Sequence, residues 1–313
     1  MLGKTAGGVF WMFRYLERSE NTARLIDAGF RIALTRPSNA EDEWASVIST
    51  AGVRNIFLEH YDTFEASNVI DFLLRDRKNP SSVMSVMEAA RSNARLVRTA
   101  LTREVWEATN ECWMTLQDVL KRPVRDRELP EVLAAIRRQG ALVRAALHGT
   151  MLRNDIFNFG RIGTFLERAD NTARILDVKY YVLLPSVSLV GSRLDNVQWD
   201  MILRSVSAQR SYRWLNGGDI NPKGIADFLI LDGRMPRSLS FCYSKITDNL
   251  GYLAGDYGDR HECHEKAEML CSHLQSKSIE EVFEIGLHEF IESFVSDNNS
   301  LGIQIENDYR FYG

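Results

Sequence analysis

The segment LERSENTARLID, Leu16 to Asp27, returns 150 positions later as LERADNTARILD, Leu166 to Asp177. Eight of the twelve positions are identical, and six of those eight are Glu, Arg, Asn, Thr, Arg and Asp. The match extends beyond this string. Trp44 in EDEWASVI answers Trp199 in NVQWDMIL at an offset of 155, and IDFLLRDRKNPSSVMSV answers ADFLILDGRMPRSLSFC at 156. The latter pair aligns Asp71 with Asp227 and Pro80 with Pro236, and Asn93 and Asn249 keep the same offset. Separate matches at a nearly constant spacing predict a tandem duplication of a unit of about 155 residues. The boundaries expected are 1–152 and 153–313, packed together as one globule.

Each unit reads as helical. In FWMFRYLERSENTARLIDAGFRIAL, residues Tyr15, Leu16, Ser19, Thr22, Ala23, Ile26 and Phe30 fall on one side at about 100° per residue. SIEEVFEIGLHEFIESFV opens with a capping box, Ser278 to Glu281, and carries an apolar face of Val282, Phe283, Leu287, Phe290, Ile291 and Phe294. Asn79-Pro80 and Met235-Pro236 read as helix starts with proline in the first turn. The seven prolines, Pro37 and Pro185 among them, punctuate the chain and leave long stretches free to be helical. No segment alternates strictly enough to argue for a sheet. The fold class expected is all-α, a helical bundle whose two units are related by a pseudo-twofold.

On a helical wheel Arg14, Glu17, Asn21, Arg24 and Ala28 share a face, with Glu20, Asp27 and Arg31 at its edge. Glu167, Asn171, Arg174 and Asp177 are placed likewise, with Asp170 standing for Glu20. One reading is a solvated ladder of i,i+4 pairs, Glu20–Arg24 and Asp170–Arg174, and i,i+3 pairs, Arg24–Asp27 and Arg174–Asp177. Each such pair contributes only about 0.2–0.5 kcal/mol. A solvated ladder tolerates Lys for Arg at almost no cost. Yet the apolar letters exchanged (Tyr15 for Phe165, Leu25 for Ile175) while the polar ones stayed. This predicts a buried polar network in which the forked guanidinium of arginine is required.

Such a network has two uses. As a brace, pseudo-twofold packing brings Glu17 to Arg168 and Glu167 to Arg18, cross-linking the halves. As a site, Arg18, Asn21, Arg24, Asp27, Arg168, Asn171, Arg174 and Asp177 line a cleft for a carboxylate or other anionic ligand. Glu17 and Glu167 are then the candidates for ligand positioning or acid/base work.

Other classes are weakly supported. A net charge of −4 argues against a general nucleic-acid binder, and no apolar run approaches the roughly 20 residues of a membrane span. The first residues carry no leader-like apolar stretch, and four cysteines in 313 residues form no disulfide framework, so a cytoplasmic protein is expected. In HECHEKAEMLCSH, the residues His261, Cys263, His264, Cys271 and His273 lack the tight spacing of zinc ligands. His261, Cys263 and His264 are therefore only weak metal candidates, and no metal or cofactor is expected. No local signature marks Cys112 or His148 as a nucleophile or base. His288 reads as a satisfied core histidine, and the six tryptophans, from Trp11 to Trp214, read as core anchors.

The duplicated strings YLERSENTAR and FLERADNTAR resemble the hallmark of the bacterial alpha-E family, a tandem-duplicated helical domain of unknown function with a Glu-Arg motif. NPSSV from Asn79, RSNARLVR from Arg91, FLILDGRMPRSLSFC from Phe228 and IGLHEF from Ile285 carry the same resemblance, which runs almost to the final IENDYRFYG. One departure is Phe157 in NDIFNFG, where the family pattern has tryptophan, a change that preserves packing. The resemblance makes Glu17-Arg18 and Glu167-Arg168 the motif residues. It implies partners, namely circularly permuted ATP-grasp ligases and transglutaminase-like proteins, with a proteasome-like hydrolase in the same setting. The function it implies is that of a non-catalytic accessory or binding component in peptide synthesis or modification. An enzyme using Glu17 and Glu167, or a scaffold in which the motif only braces, are the alternatives.

Overall fold

Gly3–Thr35 contains no proline, and its long run of helix-tolerant residues forms one continuous helix of 33 residues. In the computed structural model, which describes residues 3–35, 40–183, 193–217 and 221–312, this is α1. It is followed by α2 (Ala40–Thr50), α3 (Arg54–Leu58), α4 (Ala66–Leu74), α5 (Val83–Leu96), α6 (Arg103–Val119) and α7 (Leu129–Thr150). A second long helix, α8 (Asp155–Leu183), opens the rest of the chain. After it come α9 (Arg193–Ser205), α10 (Gln209–Asn216), α11 (Pro222–Ile230), α12 (Leu239–Tyr257), α13 (Glu262–Ser276), α14 (Ile279–Ile285) and α15 (Leu287–Asp308). The described residues contain no strand, and none of their helices is long and apolar enough to cross a membrane. Pro37 and Pro185 lie outside the described residues.

The two long helices form the centre. α1 packs along α8, with α5 and α7 against α1, and α12 and α15 against α8. α2 and α9 each touch both long helices, while α6 and α13 form an outer layer on α7 and α12. The crossing is close because Gly163 offers no side chain. A Cβ there would stand 2.4 Å from the carbonyl oxygen of Phe10, and one on Gly160 would stand 2.9 Å from the Phe13 ring. Burial of Phe10, Phe13, Leu16, Phe159, Ile162 and Leu166 around this crossing contributes about 1.5–3 kcal/mol per large side chain.

Because α1 is central, its polar face is buried as well as its apolar one. Leu16, Ser19, Ala23 and Ile26 are covered, and so are Glu17, Glu20, Asn21, Arg24 and Asp27. These are the residues that a solvated ladder would have left in water.

Three local expectations change. The stretch from Ser278 keeps its capping box, but it is two helices rather than one. Gly286, at φ 104°, separates α14 from α15, a conformation that glycine adopts at no steric cost. Phe283 accordingly turns outward. Pro80 and Pro236 do not enter a first turn. They precede the caps, because Ser82 and Ser238 each accept the N3 amide and start α5 and α12 two residues later. Trp44, Trp113 and Trp199 are buried, but Trp214 is 90% exposed and anchors nothing.

Candidate functional site

The repeated string meets itself where α1 crosses α8. Arg18 donates to Glu167 through Nε (2.5 Å, Oε1) and Nη2 (3.0 Å, Oε2). Arg168 donates to Glu17 through Nε (2.9 Å, Oε1) and Nη2 (3.1 Å, Oε2). Each glutamate is gripped by the arginine that follows the other, in the two-point geometry only a guanidinium supplies. The partner exchange expected of a brace is present. What the string does beyond that differs between its two ends.

Around Glu17 the network is closed. Arg237 Nη2 lies 3.1 Å from Glu17 Oε1 and donates to Glu20 Oε1 at 2.7 Å, while its Nη1 donates to Asn21 Oδ1 at 3.2 Å. Arg144 Nη1 reaches Glu17 Oε2 at 3.3 Å and Glu20 Oε2 at 2.5 Å. Arg24 donates to Glu20 Oε1 through Nε (3.1 Å) and Nη2 (2.7 Å), and its Nη1 bonds the Ser205 carbonyl and the Ser207 hydroxyl. Two carboxylates thus sit among four guanidinium groups, and Glu17 and Glu20 are each 1% exposed.

Around Glu167 the network is open. Arg14 Nε adds a bond to Glu167 Oε2 at 3.1 Å, and Arg174 Nε bonds Asp170 Oδ2 at 2.7 Å. Beyond them is a cleft of about 220 Å³, several times the roughly 30 Å³ share of one water, lined by Arg14, Arg18, Glu167, Asp170, Asn171 and Arg174. Thr22, Gly52, Ser81 and Asn299 are also in its walls, with Leu25 and Leu73 adding an apolar part. Two buried acceptors of its lining residues, Asp170 Oδ1 and Asn171 Oδ1, have no hydrogen-bond partner, whereas Glu20 Oε2 at the closed end, also without a hydrogen bond, has the Arg144 cation 2.5 Å away, and Asn171 as a whole is 8% exposed. A buried polar atom left so costs about 1–3 kcal/mol.

The difference lies in residues outside the string. Arg237 follows Pro236 just as Ser81 follows Pro80, so the guanidinium that closes one end is replaced by a hydroxymethyl at the other. Helices α7 and α15 are each 22 residues long. Arg144 and Gly302 hold the sixteenth position of each, and a Cβ on Gly302 would lie 3.5 Å from Arg14 Nη1. Gly52, eight residues after Trp44, has a bulkier counterpart in Ser207, eight after Trp199. Arg144 and Arg237 were beyond the reach of the string comparison. Arg237 faces Ser81 one residue after the shared proline, but that is one of eleven differences among the seventeen aligned positions of these segments, so nothing in the sequence singled it out.

Other candidates go elsewhere. Asp27 pairs not with Arg24 but with Arg31 Nε (3.0 Å) and Arg137 Nη1 (3.2 Å). It faces an open groove lined also by Arg24, Arg138 and Arg204. Asp177 bonds His288 Nδ1 at 2.7 Å rather than Arg174, so His288 is engaged by an acidic partner and not merely packed. Both i,i+3 pairs give way to other partners, Asp27 to Arg31 one turn on and Arg137 of α7, and Asp177 to His288 of α15. His264 caps α13, accepting from the His261 amide at 2.9 Å through Nδ1 and facing the Leu250 carbonyl with Nε2 at 3.1 Å. No group of three or more metal-ligating side chains gathers among the described residues. Cys112, Cys242, Cys263 and Cys271 are free and buried. Burial with Glu111 nearby pushes the Cys112 thiol up to about 12, away from nucleophilic use.

The electrostatics follow from the geometry. Burial would raise the Glu17 carboxyl, but Arg168, Arg237 and Arg144 overcome it and hold the group far below the usual range. Burial opposes the ionised form of Glu167 too, and Arg18 and Arg14 bring it down to about 2. Burial, with Arg24 beside it, pushes Arg237 down to about 10. Carboxylates this acidic, with their oxygens already occupied, are poor proton acceptors near neutrality. The arrangement suits holding a ligand in the cleft better than moving a proton.

No curated protein and no solved structure matches the chain. A family model described as "a predicted alpha-helical domain with a conserved ER motif" matches residues 1–309. Glu17-Arg18 and Glu167-Arg168, the pairs that clasp one another across the crossing, are both written Glu-Arg. With nearly its whole length matched, the chain belongs to the Alpha-E family.

Proposed function

We propose that this protein is a non-catalytic binding component that holds a peptide in the cleft beside Glu167. The observation that carries this is the pair of unpartnered acceptors, Asp170 Oδ1 and Asn171 Oδ1, in a polar cleft also lined by Arg14, Arg18 and Arg174. A ligand with both N–H donors and a carboxylate or carbonyl oxygen satisfies such a lining, and peptides carry both. Two repeats, 1–152 and 153–313, are the economical account of why one polar string has a closed end and an open end. In this reading the duplication freed one end for binding while the other kept the brace. The protein then works beside an ATP-grasp ligase, presenting peptide for synthesis or modification.

The test is ligand-observed NMR and calorimetry with a set of short peptides. Arg174→Gln removes a cleft-lining charge whose own pair is partly exposed. It is expected to lower peptide affinity about tenfold while leaving the melting temperature within a degree or two. Peptides that bind wild type and Arg174→Gln equally well would sink the assignment to this cleft. An affinity capture with the wild-type chain that retains no ATP-grasp ligase would remove the partner from the proposal.

A further inference from the structure

We infer that the cleft takes an arginine side chain of its ligand, seated where the guanidinium of Arg237 sits at the closed end. This rests on the cleft being the peptide site and goes further, by naming the group recognised.

At the closed end Arg237 forks between two acceptors, Asn21 Oδ1 through Nη1 and Glu20 Oε1 through Nη2. The corresponding residues of the second string are Asn171 and Asp170. Asn171 Oδ1, the counterpart of the Asn21 Oδ1 that Arg237 bonds, has no donor, and neither has the Asp170 oxygen that Arg174 leaves; both residues line the cleft, where Ser81 stands in place of Arg237. The remaining partners are already matched. Arg18 answers Arg168, Arg174 answers Arg24, and Arg14 supplies the second grip on Glu167 that Arg144 gives Glu17. The closed end holds four guanidinium groups around two carboxylates and the open end three around Glu167 and Asp170. A ligand guanidinium completes the set with the same charge count and the same planar fork.

The chemistry excludes close substitutes. An ammonium is a point donor and does not span two acceptors in a plane. Burial and the neighbouring Arg24 push Arg237 down to about 10, which leaves a guanidinium charged at neutral pH. Citrulline keeps the shape but replaces one donor nitrogen with an acceptor oxygen, which would face Asp170 Oδ1 or Asn171 Oδ1.

Acetyl-Gly-Arg-Gly-amide, with its lysine and citrulline analogues, is the probe set for calorimetry. The arginine peptide is expected to bind at least tenfold tighter than either analogue, as for a site that rejects a ligand lacking the matching donors. Ser81→Arg supplies the guanidinium from within the chain, so it should abolish binding and raise the melting temperature. Asn171→Leu removes an acceptor without unpairing another group and should weaken the arginine peptide about tenfold in a normally folded chain. If peptides bind and Ser81→Arg displaces them, but the citrulline or lysine analogue binds as well as arginine, the guanidinium inference fails and the peptide site stands. If no peptide binds at low salt, both fall.

Discussion

The ends of the α1–α8 crossing carry almost the same residues and are left in different states. At the Glu17 end, Arg144 and Arg237 fill the space and every motif carboxylate has at least two cationic partners. At the Glu167 end, Ser81 lines a cleft, Arg14 lies over Gly302, and Asp170 Oδ1 and Asn171 Oδ1 have no hydrogen-bond donor. The comparison teaches that one motif written twice can be enclosed at one end and open at the other, with its surroundings deciding which. It also sets a scale for experiments, because each end serves as the control for the other.

The largest expected difference is between Glu17→Gln and Glu167→Gln. Removing the Glu17 charge leaves the buried Arg168 without its carboxylate, while Arg144 and Arg237 keep only Glu20, and breaking such a buried pair costs roughly 3–5 kcal/mol. Arg18, the arginine that clasps Glu167, has a side-chain exposure of 27% against 12% for Arg168 and reaches solvent more readily when its partner is lost, so Glu167→Gln should cost about half as much. Urea denaturation of the two variants checks this. Equal losses would break the comparison.

Next comes acid. Glu17, Glu20 and Glu167 all have folded values below the ordinary one. A depressed carboxyl binds its proton less readily when folded, so its contribution is full above the unfolded value, about 4.5, and is lost as pH falls through the folded value. For Glu167, lowered from 4.5 to about 2, the contribution is on the order of 3 kcal/mol. Urea midpoints should therefore hold from pH 7 to about 5 and then decline steadily toward pH 3. A profile that is flat between pH 5 and 3 would mean that the carboxylates are not held as the network requires.

How much of this was legible in the sequence depends on the range of the interaction. The helical class, the Glu20–Arg24 and Asp170–Arg174 pairs and the capping box at Ser278 depend on neighbours within one or two turns, and pattern reading reached them. The exchange of Glu17 and Glu167 between Arg168 and Arg18 was legible only because the string is repeated. The pairing of Asp177 with His288, of Asp27 with Arg137, and the closure by Arg144 and Arg237 depend on which helix faces are brought together. Periodicity does not encode that. The break at Gly286 was missed because an apolar face continues on both sides of it, masking a glycine whose φ no other residue favours.

A smaller effect sharpens the comparison from the other side. Arg237→Ser recreates at the closed end the side chain found at Ser81. It removes three polar contacts but leaves Glu17 with Arg168 and Arg144, and Glu20 with Arg24 and Arg144. The cost should be about 2 kcal/mol, within the usual range for losing hydrogen bonds to a charged group. The gain should be a second cleft, so that calorimetry with the arginine tripeptide reports two sites per chain in place of one. An unchanged stoichiometry would show that the pocket vacated by Arg237 collapses, and that the open end owes its cleft to more than a missing side chain.

The smallest effect tests the outer edge of the closed end. Ser207 has φ 57° where its counterpart Gly52 has φ 71°, and a side chain in that left-handed region costs about 1–2 kcal/mol. Its hydroxyl accepts from Arg24 Nη1 at 2.6 Å, a bond to a charged donor worth about 1.5–3 kcal/mol net. Ser207→Gly relieves the first and forfeits the second, though Arg24 Nη1 keeps the Ser205 carbonyl at 3.0 Å. The terms nearly cancel, and a loss of roughly 0.5 kcal/mol is expected, read as a small drop in the urea midpoint. A gain of stability would mean that strain outweighs the clamp and that the serine is retained for the groove it lines beside Arg24 and Arg204. A loss well above 1 kcal/mol would make the Arg24–Ser207 bond part of the brace itself, extending the closed end from the helix crossing to the end of α9.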